Sequence, residues 1–103
     1  MEQNIANQIE SILHQSIDAS LLQVINESKN HSRAGDNTHF KVVIVSDDFI
    51  KQSMIQRHKK LNTMLEEIFK QVHALSIRAY TQTEWDQLII DANSPVCVSI
   101  NKS

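Results

Sequence analysis

The segment Phe40-Lys41-Val42-Val43-Ile44-Val45 carries an apolar side chain at every position but one. Successive residues of a strand point to opposite faces, so a run that is apolar on both needs cover on both. It therefore predicts a strand at the centre of its sheet, with neighbours beside it and helices against it. A chain of 103 residues has room for one such layered domain and none for a deep cleft between domains.

Other elements arrange themselves around that strand. Residues 4–17 place Ile5, Ile9, Ile12, Leu13 and Ser16 at helical spacing, and Ile17-Asp18-Ala19-Ser20 breaks the pattern. Residues 21–27, rich in branched side chains, read as a strand. Residues 28–38, with Asn30, Gly35, Asp36 and Asn37, read as a long hairpin loop. Asp47 and Asp48 stand where they would cap or electrostatically favour a following helix. From Met54 a stripe of Met54, His58, Leu61, Leu65 and Ile68 predicts one long helix, flanked by Met64 and Phe69. His58 falls within the stripe, which favours a packed imidazole bonded to backbone over a ligand.

Residues 74–80 alternate Leu75, Ile77 and Ala79 against Ser76, Arg78 and Tyr80, as a strand with one wet face does. Thr81-Gln82-Thr83-Glu84 has capping-box spacing. It opens a last helix expected to pack Trp85, Leu88 and Ile89, and Pro95 prevents its continuation. The expected class is α+β: a three-stranded sheet with helices mainly on one face. A single domain over residues 1–103 is expected, its C-terminal tail starting near 94.

Composition removes several functions. Gly35 is the only glycine, and phosphate-binding loops, dinucleotide fingerprints and the GxxG loop of KH modules each require at least two. Cys97 is the only cysteine, so no internal disulfide or cysteine-rich metal site forms from this chain alone, and a reducing, cytoplasmic compartment is expected. Met1-Glu2-Gln3-Asn4 offers no basic n-region, and no apolar stretch has the length of a membrane span. No serine sits in a nucleophile-elbow motif, and adjacent aspartates after a strand serve capping more often than acid–base chemistry. An enzyme is not expected.

Two kinds of side chain remain as candidates. Lys51, Arg57, Lys59 and Lys60 hold four of the ten lysines and arginines within ten residues, so a phosphate backbone has a place to dock despite a net charge of −2. Tyr80 could stack on a base there. The histidines are the second kind. His31 lies in the glycine-containing loop, His39 precedes the central strand, and His73 stands at the mouth of a strand-like run. A rigidly mounted imidazole and a loop-borne one can supply half the ligands of a metal centre and leave the rest to a partner.

Several pieces together resemble the BolA family: His39-Phe40-Lys41-Val42-Val43-Ile44-Val45-Ser46-Asp47, Phe49, Arg57-His58, Val72-His73-Ala74-Leu75-Ser76-Ile77, Tyr80-Thr81 and Glu84-Trp85. Upstream, Glu27-Ser28, His31 and Ala34-Gly35 fit the loop that opens the motif, and Ser94-Pro95 with Cys97 fits the tail. The likeness spans most of residues 22–97.

Membership would imply a class II KH-like topology without the GxxG loop, and partnership with a monothiol glutaredoxin. It would further imply a [2Fe-2S] cluster shared with that partner and glutathione, with His31 and His73 as this chain's ligands. Two imidazoles on one iron and two thiolates on the other make a Rieske-like centre. The resemblance also implies a second role, a stress-responsive DNA-binding regulator of transcription and cell shape using the helix of Arg57-His58. Homodimers and DNA are both compatible partners; a membrane is not expected. The chain departs from the family pattern at Lys51, where a small residue is usual. It departs again in Ser32-Arg33-Ala34-Gly35, which is shorter and lacks a proline, so His39 stands as the alternative loop-side ligand.

Overall fold

The computed structural model describes residues 4–27 and 39–93. His31, Gly35, Pro95 and Cys97 lie outside the described residues, as do the expected loop and tail. Elements run in the order α1 (Ile5–Ser16), β1 (Leu21–Asn26), β2 (His39–Val45), α2 (Met54–Met64), α3 (Glu66–Phe69), β3 (Ala74–Tyr80) and α4 (Gln82–Asn93). A 3-10 turn, Asp47–Phe49, leads from β2 towards α2. The α+β class with a three-stranded sheet is as the sequence predicts.

β2 is central. It pairs antiparallel with β1, Leu21 opposite Val45 and Asn26 opposite Phe40, and parallel with β3, His39 opposite Ala74 and Val45 opposite Tyr80. Parallel pairing requires a crossover, which α2 and α3 provide. Phe40, Val42 and Ile44 face the main core with Ile5, Ile9, Leu13, Phe49, Leu61, Leu65 and Ile68. That is one face of the sheet, covered by α1, α2 and α3.

Val43 and Val45 point the other way and are also buried, yet stand outside this cluster. The Trp85 ring of α4 meets Tyr80, the neighbour of Val45, with centroids 5.7 Å apart. α4 thus covers the Val45 end of the second face. Its cover is thin: Leu88 and Ile89, expected to pack, are 42% and 43% exposed.

Three further expectations are corrected. The long helix from Met54 is two helices, because Leu65 leaves helical geometry at φ −102° and ψ 18°. The break keeps Leu65 and Ile68 in the core while the chain turns towards β3. Met54, assigned to the buried stripe, is 47% exposed. Asp47 and Asp48 do not cap α2, which has its own capping box in Ser53 and Gln56. Asp47 instead accepts the Gln82 amide at the start of α4, and Asp48 accepts the Asp18 amide, fastening the turn after α1. Among the described residues no helix is long and apolar enough to cross a membrane.

Candidate metal centre

The parallel register sets His39, first residue of β2, opposite Ala74, first residue of β3. His73 immediately precedes that residue. The imidazoles of His39 and His73 consequently lie side by side, centroids 5.2 Å apart and planes 16° apart. His73 is exposed and His39 half-buried. Both sit where hydrogen-bonded strands begin: the His39 carbonyl accepts the Glu27 amide at 2.8 Å. His39 is held in the β2 ladder, and His73 stands in the bend just before β3.

A metal–imidazole bond of about 2.1 Å places two rings on one ion with centres roughly 5 Å apart. The observed separation fits. A ligated ion also lies in the plane of each ring, so one of the stacked rings must turn about its Cβ–Cγ bond before both nitrogens reach the same ion. Exposed His73 has room to do so. Among the described residues no group of three or more histidine, cysteine, aspartate or glutamate side chains is placed to hold a metal. What these residues provide is a pair of nitrogens, the donor set of half a site. His14 is exposed on α1, and His58 is half-buried with an Nε2 that finds no partner among the described residues.

Arg57 differs from expectation. Its side chain is 5% exposed and bonds Glu84 through both terminal nitrogens, at 2.6 and 3.1 Å. It also donates to the carbonyls of Ala79 at 3.2 Å and Gln52 at 3.1 Å, and its guanidinium lies over the Phe49 ring. One buried cation therefore joins α2, β3, α4 and the 3-10 turn. A guanidinium with its donors so engaged is not offered to a phosphate, and the expectation that Arg57 lines a solvated basic flank is corrected. Lys51, Lys59 and Lys60 are exposed, and Tyr80 is half-buried against Trp85.

The Thr81–Glu84 capping box is formed, with Glu84 accepting the Thr81 amide at 2.9 Å. The Arg57 guanidinium, and after it that amide, hold the Glu84 carboxyl below its ordinary range. Sequence reading identified Glu84 as a cap and missed its second role. The spacing carries the signal: Arg57, Leu61, Leu65 and Ile68 fall on one buried helical stripe.

The model of the BolA-like protein family matches residues 13–84. The chain is 40% identical over 86 residues to the DNA-binding transcriptional regulator BolA of Escherichia coli (strain K12), covering 82% of each. It is 38% identical over 93 residues to the protein of the same name in Vibrio cholerae, covering 87% of this chain and 88% of that one. Among solved structures, BolA1 from Arabidopsis thaliana superposes with a TM-score of 0.74 at 32% identity, over 81% of this chain and 98% of the other. The solution structure of BolA1 from Mus musculus gives 0.72 at 35% identity, over 91% and 79%.

Proposed function

The chain belongs to the BolA-like family, and on that premise we propose that it is a non-enzymatic adaptor of the cytoplasm that partners a monothiol glutaredoxin. With that partner and glutathione it would co-ligate a [2Fe-2S] cluster, in iron–sulfur trafficking or iron sensing. His73 is the fixed ligand on this chain; the second nitrogen comes from His31 of the 28–38 segment or from His39 beside it. The observation that carries the reading is the pair of imidazoles 5.2 Å apart at the starts of two parallel strands. The parallel register brings the two rings side by side, one turn of a ring from sharing an ion, and the exposure of His73 leaves an approach for a second protein's sulfur. When bound, the cluster supplies a transferable store of iron and sulfide whose potential the imidazoles raise over an all-thiolate centre.

The test is spectroscopic. Cluster-loaded glutaredoxin mixed with this protein should change its visible absorption and circular dichroism to those of a mixed histidine/cysteine centre. His73→Ala should abolish the change, and comparison of His31→Ala with His39→Ala identifies the second ligand. An unaltered response in His73→Ala refutes the assignment.

The names of the two bacterial relatives favour a second reading, a DNA-binding regulator. With Arg57 buried, its contacts would fall to Lys51, Lys59, Lys60 and Tyr80. It predicts that DNA affinity falls steeply with salt and is lost in Lys59→Glu/Lys60→Glu while His73 stays intact. Affinity indifferent to salt would exclude it.

A further inference from the structure

Among the described residues, the sheet face that carries His39 is covered at one end only. At the far end Val43 and Val45 are buried, and α4 meets the face at Tyr80, beside Val45. Between that cover and the imidazoles, Gln23, Ser76 and Arg78 are exposed, Lys41 is half-buried, and Ile25 is 40% exposed. Pairing places Ile25 opposite Lys41, Lys41 beside Ser76 and Val43 beside Arg78, so these side chains share one face. Lys41 and Arg78 are diagonal neighbours on adjacent strands, roughly 8 Å apart at Cα.

Neither cation has an ion-pair partner among the described residues. Ion pairs among the described residues join Arg57 to Glu84 and Lys70 to Glu67, away from this face. The side chains of Lys41 and Arg78 make no hydrogen bond or ion pair among the described residues. No aspartate or glutamate occurs in any of the three strands, although the chain as a whole has twelve acidic residues to ten basic ones. Glu27, level with His39, stands on this face at its edge. Two like charges held on neighbouring strands repel one another, and an opposing charge from outside relieves that repulsion.

We infer that this open half-face is the docking surface for a protein partner with an acidic contact surface, the same partner that completes the imidazole site. The inference rests on the adaptor reading above. Lys41 is two residues along β2 from His39, about 7 Å, so a partner bringing sulfur to the imidazoles would lay its adjoining surface on the two cations. Ile25 gives that contact an apolar spot. Nucleic acid is the less suitable occupant: two cations beside an exposed isoleucine and two imidazoles match the mixed rim of a protein interface, whereas a phosphate backbone asks for a row of cations.

Lys41→Glu/Arg78→Glu in the full chain tests this against apo monothiol glutaredoxin, without cluster, by calorimetry at low and physiological salt. Circular dichroism and thermal melts verify the fold. Wild-type affinity should weaken as salt rises, the double reversal should lower it roughly tenfold or more at low salt, and Lys41→Gln/Arg78→Gln should fall between. His73→Ala should keep apo binding while losing the cluster spectrum. Unchanged apo binding in the folded double reversal overturns the inference and leaves the adaptor reading standing. Loss of DNA affinity with glutaredoxin affinity intact also overturns it, by assigning the face to nucleic acid. A wild-type protein that does not bind glutaredoxin ends both.

Discussion

Replacing Arg57 by methionine separates its structural role from any role at a surface. Methionine keeps much of the aliphatic stem and removes every donor. The Ala79 carbonyl, whose bond to Arg57 is buried, loses a partner at a cost of about 1–2 kcal/mol, and Gln52 loses one costing about 0.5–1. Glu84 is 46% exposed, so its abandoned carboxylate regains water and the pair contributes about 1 kcal/mol, not the larger figure for a wholly buried pair. Burying a thioether in place of a guanidinium returns about 1 kcal/mol. The net loss is about 2 kcal/mol, which for a domain of this size lowers Tm by roughly 8–10 °C. Calorimetric melts and urea unfolding of Arg57→Met, Glu84→Gln and the double variant measure the loss and its coupling. Lys59→Met, at an exposed position, should stay within about 0.5 kcal/mol of wild type. Should Arg57→Met melt within 2 °C of wild type, by an order-of-magnitude allowance, while DNA affinity collapses, the buried-keystone account is wrong.

Glu84 also gives stability a pH dependence. Its carboxyl titrates lower in the folded protein than its ordinary value of 4.5, so its contribution is complete above that value and is lost as pH falls through the folded one. Unfolding midpoints of Glu84→Gln should accordingly decline less with acid than wild type, and equal slopes would refute the assignment. Leu65 is fully buried where α2 gives way to α3, so Leu65→Ala should cost about 3 kcal/mol in urea unfolding through the cavity it leaves. A cost under about 1 kcal/mol would show that the site collapses around the gap.

Much of the fold is written locally. Ile5, Ile9 and Leu13 share one helical period pattern, the β2 run declares a strand covered twice, and Thr81 and Glu84 declare a helix start three residues apart. Each of these depends on neighbours within a turn or a strand, which a linear pattern displays. Arg57 shows where such reading stops. Its position on the buried stripe was visible, but whether an arginine there turns inward depends on an acceptor 27 residues away. The capping aspartates fail for the same reason, since Asp47 bonds an amide 35 residues on and Asp48 one 30 residues back.

The candidate site divides similarly. Sequence alone determined that the chain lacks the glycines of a phosphate loop and the cysteines of a self-contained cluster, and that its histidines flank the strands. Which two meet was decided by the parallel register of β2 and β3, since His39 and His73 are 34 positions apart. The same register set Lys41 and Arg78 on one uncovered face. Periodicity states which way a side chain points relative to its own strand; only the packed sheet states what stands beside it.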